Sequence, residues 1–201
     1  MEPQDPRAKV RRRRLRLLPI LGYVLVVFGL AWFLEERLPT TIIFVRHADT
    51  DVAMSKDDDL PLNERGRLRA ERLADFLQDI DVVRGVDAIY ASDKRRTQET
   101  AAPIAERLGL KVTIDDPYRT ERFVRHVLRD HKGEIVLVVT HSDTIAPLID
   151  ELHGSKRLPA FAPDEYDEVY IVTMPFYGKV KTLRLHYDMA GTSEPSAVSG
   201  G

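Results

Sequence analysis

Residues 40–50 read "TTIIFVRHADT". Thr41, Ile42, Ile43, Phe44 and Val45 are β-branched or aromatic, and the run is short and almost wholly apolar, the pattern of a buried strand. With no spacer the chain then delivers Arg46 and His47, followed by Ala48, Asp49 and Thr50. A core strand that ends on a cation and an imidazole does more than pack; it predicts a site at its carboxyl end.

Working outward, "VDAIYAS" (86–92), "KVTID" (111–115) and "EIVLVVT" (134–140) have the same strand character. Between them lie helical faces spaced i, i+3, i+4, i+7: Leu73, Phe76, Leu77 and Ile80; Ala101, Ile104, Ala105 and Leu108; Ile145, Leu148, Ile149 and Leu152. Residues 119–131 are expected to add another helix. Asn63 is placed to cap the first helix, and Gly109 and Gly154 to end two others. "EVYIVTMP" and "KVKTLRLHY" predict a terminal β-hairpin around "FYGK". Strands alternating with helices imply an α/β fold, a three-layer α/β/α sandwich with a mostly parallel central sheet. Ligands in such sheets bind beyond the carboxyl ends of the strands. Three of those ends carry polar groups: Arg46–His47, Ser92 followed by Arg95–Arg96, and Thr140–His141–Ser142.

If these ends meet, the site holds two imidazoles and at least two guanidiniums. Guanidinium forks match phosphate oxygens and keep their charge. Arg96 also opens a helix, whose N-terminal N–H groups favour an anion. A neutral histidine beside a bound phosphate can attack phosphorus, and a second histidine, if protonated, can stabilise the equatorial oxygens. The arginines then supply the positive charge that magnesium supplies in other phosphoryl-transfer sites, so no metal or other cofactor is called for. A metal site made of His47, Asp49, Asp51 and His141 is the competing reading, and the flanking arginines oppose it. Ser142 as a nucleophile lacks a glycine elbow around it.

"VRHADT", "YASDKRRTQETA" and "VVTHSDT" resemble, in order, the three signatures of the histidine phosphatase superfamily, the phosphoglycerate-mutase-like family. The first signature is Arg-His-Ala here, where Arg-His-Gly is more usual. Ser92, Arg96 and Thr100–Ala101 match the second, which singles out Arg96 over Arg95; Thr140–His141 match the third. "LPLNERGRLRAERLADFL" resembles the family's Leu-Thr-x-x-Gly helix, with Asn63 in place of threonine or serine. The resemblance spans residues 40 to about 186 and implies a phosphoglycerate-mutase-like fold and a phosphohistidine intermediate. It makes His47 the nucleophile, with Arg46, Arg96 and His141 binding the phosphoryl group; Ser142 and Thr50, beside the histidine motifs, join the expected substrate-binding set. The general acid carries over poorly: Glu121 in "DPYRTERF" is the nearest candidate, with Asp115, Asp116 and Asp143 as rivals. The resemblance implies a phosphorylated small molecule or phosphoprotein as substrate. A catalytically weak scaffold and a phosphoglycerate-type mutase are the alternatives; only 44 residues separate Arg96 from His141, little room for the insertion that closes mutase sites.

The N-terminus is different in kind. Residues 1–16 hold seven Lys/Arg against two Asp/Glu and include "RRRRLR". Residues 17–34, "LLPILGYVLVVFGLAWFL", carry no charge; as a helix they would be about 27 Å long, close to the thickness of a bilayer's hydrocarbon core. The expectation is one transmembrane helix at 17–34 preceding the domain, with a basic cytoplasmic N-terminus at 1–16. The domain at 38–187 would then be extracytoplasmic, ahead of a disordered tail at 188–201. No small-x-small cleavage site follows the run. Residues 35–201 hold 23 Lys/Arg against 30 Asp/Glu, an acidic balance that gives nucleic-acid binding no support. Without cysteine, thiolate chemistry and disulfides are excluded.

Overall fold

The computed structural model describes residues 6–35, 38–51, 59–78, 85–159, 162 and 165–187. The chain divides into two compact units, Met1–Leu38 and Pro39–Gly201. The first is the helix α1 (Pro6–Glu35), in which Ile20, Leu21, Leu25, Phe28 and Trp32 are exposed. Its side chains are described from Pro19 to Phe33, and among the described residues no helix is long and apolar enough to cross a membrane. Ile80 and the tail at 188–201 lie outside the described residues.

In the second unit the elements follow in the order β1 (Thr40–Arg46), α2 (Glu64–Gln78), β2 (Ala88–Ala91), α3 (Arg95–Leu108), β3 (Val112–Ile114), α4 (Thr120–Asp130), β4 (Ile135–Thr140), α5 (Ser142–Glu151), β5 (Glu168–Met174) and β6 (Lys181–His186). The six strands form one sheet, ordered β3-β2-β4-β1-β5-β6. The four strands from β3 to β1 are parallel, while β5 runs antiparallel to β1 and β6 antiparallel to β5. The sheet is therefore mixed: its parallel part is joined by helical crossovers and its edge is the expected hairpin. Gly178, at φ 107°, makes the hairpin turn.

Alternation along β1 builds the sandwich. Ile42 and Phe44 point to one face, where Phe123, Val124 and Val127 of α4 pack with Ile145, Leu148 and Ile149 of α5. Ile43 and Val45 point to the other, against Leu73 and Leu77 of α2 and Ala101 and Ile104 of α3. Both faces of the central strands are covered, which is why β1 and β4 read as continuous apolar runs. Asn63 caps α2, its Oδ1 accepting the Gly66 N–H at 2.8 Å. Gly66 itself is required by proximity, since a Cβ there would collide with the Asp49 carbonyl oxygen. That close approach draws the chain just beyond His47 onto α2.

Candidate active site

β1 and β4 are neighbours in register, Arg46 opposite Thr140, so the residues after them emerge side by side. The His47 N–H donates to the Thr140 carbonyl at 2.9 Å and carries the ladder one step past the strand. The rings of His47 and His141 lie 5.4 Å apart, centroid to centroid, at 66°. Hydroxyl links bring α3 to the same place. The Ala48 N–H donates to Thr100 Oγ1 at 2.9 Å, and the Thr100 hydroxyl donates to the Arg96 carbonyl at 2.6 Å. The second motif thus ties the backbone beside His47 to the first turns of α3, where Arg96 sits.

The protonation of His47 follows from its partner. Nδ1 lies 2.8 Å from the Ala48 carbonyl oxygen, which can only accept, so Nδ1 carries the proton and the lone pair is on Nε2. Burial lowers its pKa to about 3, and the nearby His141, Arg96 and Arg46 push the same way against the carbonyl bond. His141 is lowered to about 4, by burial first and then by Arg96, with Asp143 and Asp93 opposing. With pKa values of about 3 and about 4, both imidazoles are neutral at neutral pH. A phosphate dianion bound beside His141 would draw its pKa up again.

Ser92 serves His141. Its Oγ is 3.0 Å from His141 Nε2 and 2.8 Å from Thr97 Oγ1, and it also accepts the Lys94 N–H at 3.3 Å. Arg46 is gripped by a loop far away in sequence: Nη1 donates to the carbonyls of Ala162 (3.2 Å) and Glu165 (3.0 Å), and its guanidinium lies 4.0 Å from the centroid of the Tyr166 ring. Glu165 closes that loop, Oε2 accepting the Ala162 N–H at 3.1 Å and Oε1 the Arg184 guanidinium at 3.0 Å. Tyr118 stacks on His141, centroids 5.9 Å apart, and its hydroxyl donates to Asp143. Tyr166, Tyr118 and the carbonyls of Ala162 and Glu165 are contacts that the sequence did not lead one to expect.

The structure thus brings together His47, His141, Arg46 and Arg96. Ser142 begins α5 next to them, and Thr50 bridges Leu62 on the loop beyond His47. Arg95 is exposed and paired with Glu99, in keeping with the choice of Arg96. Glu121 is not brought to the imidazoles. It is 72% exposed, pairs with Arg125 one turn on, and lines a surface groove with Met174 and Val180; Met174 lies opposite Thr40, at the far end of β1 from Arg46. Among its rivals, Asp115 is held by His126 at 2.7 Å and Asp116 by Arg119 at 3.3 Å, leaving Asp143 as the one whose charge acts on His141. The metal reading loses its ligands. Asp49 forms a buried pair with Arg69 at 2.7 Å, and Asp51 accepts from Asn63. Among the described residues, Glu165, Glu168 and His186 lie close enough to share a cation, but the Arg184 guanidinium already bridges the two glutamates.

A family model described as histidine phosphatase superfamily (branch 1) matches residues 42–119. No curated protein matches the chain. Among solved structures it is similar to a mycobacterial glucosyl-3-phosphoglycerate phosphatase, at 18% identity and a TM-score of 0.56 over 74% of this chain and 98% of that one. It is also similar to the protein histidine phosphatase SixA complexed with tungstate, at 18% identity and a TM-score of 0.56 over 73% and 96%. Bacillus stearothermophilus YhfR aligns at 22% identity and a TM-score of 0.52 over 66% and 90%. These likenesses establish the fold, an α/β sandwich with a mixed sheet of the kind these proteins share.

Proposed function

We propose that this chain is a metal-independent phosphatase of the histidine phosphatase superfamily, anchored to a membrane by residues 17–34, acting on phosphate monoesters or phosphoramidates of small molecules or proteins. The observation that carries the reading is the neutral His47, its Nδ1–H given to Ala48 and its Nε2 lone pair set among His141, Arg96 and Arg46. The matched family model and the shared fold support it. In the first step Nε2 attacks phosphorus; the N–P bond forms as the bond to the leaving group breaks, and the leaving group departs with that electron pair. Arg46, Arg96 and His141 hold the three equatorial oxygens. In the second step water attacks the phosphohistidine, the N–P bond breaks, and its pair returns to Nε2. Phosphate leaves with the water oxygen, and the water's proton passes to phosphate.

Among the described residues Glu121 does not adjoin the histidines, and of its rivals only Asp143 acts on His141. Leaving groups that depart without protonation should therefore react fastest. The 44 residues between Arg96 and His141 are taken up by the rest of α3, β3, α4 and β4, with no insertion to close over the site, which favours a hydrolase over a mutase. The anchor rests on the uncharged run at 17–34 and on a helix whose exposed side chains from Ile20 to Phe33 are almost all apolar. The basic residues before it favour an orientation with residues 38–201 on the extracytoplasmic side.

The test is a substrate panel on the full-length chain in detergent, with excess chelator. Aryl phosphates and phosphoramidates should turn over faster than alkyl phosphates, His47→Ala should lose more than about a thousandfold, and Glu121→Gln should change nothing. Activity that survives in His47→Ala, or that needs a divalent ion, would contradict the reading.

A further inference from the structure

The turn of the β5–β6 hairpin has a composition unlike the rest of the sheet's rim. Residues 175–181 read "PFYGKVK": two aromatics, two lysines and no acid. Phe176 and Tyr177 are 49% and 72% exposed, and their rings touch edge to face with centroids 4.6 Å apart. Lys179 and Lys181 are exposed beside them. Exposed aromatic pairs are uncommon on a surface that meets only water, because each ring leaves a large apolar area unburied.

The register says where this tip lies. Thr40 pairs with Met174, so the hairpin turn sits at the amino end of β1, where the chain enters the domain at Pro39. The stretch from Leu34 to Thr40 reaches at most about 20 Å even when fully extended. A bilayer holding residues 17–34 therefore lies within reach of this edge of the sheet. Aromatic rings with polar tips settle at the headgroup level, and lysine ammonium groups there can pair with the phosphates of the headgroups.

We propose that the Phe176–Tyr177 tip, with Lys179 and Lys181, is a membrane-interface contact that docks the domain onto the headgroup layer of the bilayer that anchors it. The inference rests on the membrane anchor proposed above. It has a functional consequence. Arg46 and His47 are at the other end of β1, and seven residues at about 3.3 Å each put roughly 20 Å between the docked edge and the imidazoles. The site is then held facing away from the lipid, open to soluble phosphorylated substrates and out of reach of the headgroups of its own membrane.

The natural absence of cysteine makes the test clean. Full-length Tyr177→Cys, labelled with an environment-sensitive fluorophore, is reconstituted into phosphatidylcholine vesicles containing phosphatidylglycerol and a lipid-attached quencher. Label at residue 177 should shift to the blue and be quenched at least about twofold. Label on Leu68→Cys, exposed on α2, should do neither. Adding K179E and K181E should reduce the quenching at residue 177. Alkaline extraction of the same vesicles reads the anchor separately. Protein retained after extraction but unquenched at residue 177 would overturn the docking contact and leave the anchor standing. Protein released by extraction would overturn both.

Discussion

At His47 a single backbone carbonyl decides the chemistry. The Ala48 carbonyl accepts the Nδ1–H bond, burial and two arginines keep the ring neutral, and the lone pair of the proposed nucleophile is fixed on Nε2. The same burial has a measurable cost in acid. His47 and His141 have folded pKa values of about 3 and about 4, below the ordinary 6.5. Between pH 6.5 and those values the unfolded chain binds more protons than the folded one, so stability contributed above pH 6.5 is lost as pH falls toward 3–4. Thermal unfolding followed from pH 7 to pH 4 should show a falling Tm, and His47→Gln should flatten part of that slope. An equal slope in the variant would mean that His47 titrates alike in the folded and unfolded chain, against the lowered pKa.

Among the elements, the least expected is the loop that grips Arg46. Arg184 on β6 draws in Glu165, and it also meets Glu168, which is 1% exposed and bonded through Oε2 to the Tyr170 hydroxyl at 2.9 Å. The Glu165 and Ala162 carbonyls, and the Tyr166 ring, then orient the guanidinium of Arg46. Arg184 is thus a positioning residue. Arg184→Met should raise KM and weaken inhibition by vanadate about tenfold, with a smaller fall in kcat, and Arg184→Lys should restore most of the loss. A fall in kcat alone, or no rescue by lysine, would count against this role. The sequence hid the arrangement for a physical reason. Arg46, His47, Arg96 and His141 were legible because each stands where a periodic apolar segment stops. Tyr166 and Glu165 lie in an aperiodic loop about 120 residues from Arg46, and only the antiparallel pairing of β5 beside β1 brings them back. Glu121 faces a groove beside Met174, away from the imidazoles. Tyr118, just before α4, reaches His141, whereas Glu121 turns outward to Arg125.

At the scale of the whole molecule, the fold separates two ends of one sheet. The carboxyl ends of β1 and β4 carry the imidazoles, and the amino end of β1 receives the chain from the apolar N-terminal run. The α/β alternation was readable from periodicity because strands covered on both faces leave uninterrupted apolar runs. The antiparallel edge was readable only as a hairpin, since strand order is set by pairing across the sheet, which the local pattern does not record. The charge asymmetry around residues 17–34 makes its own prediction. A reporter enzyme fused after Gly201, of a kind active only outside the cytoplasm, should be active in cells expressing the full chain, and activity of a cytoplasm-only reporter instead would reverse the proposed orientation.

The central claim is that the phosphoryl group passes through Nε2 of His47. The most direct measurement is rapid quenching of the full-length enzyme with an excess of aryl phosphate, followed by peptide mass spectrometry under alkaline conditions, where phosphohistidine survives. The account predicts one acid-labile phosphoryl group, on the peptide containing His47, absent from His47→Ala and lost by hydrolysis to phosphate once the substrate is consumed. A phosphoryl group on His141 or on any serine, or turnover with no covalent phosphoryl group at saturating substrate in a burst experiment, would contradict it.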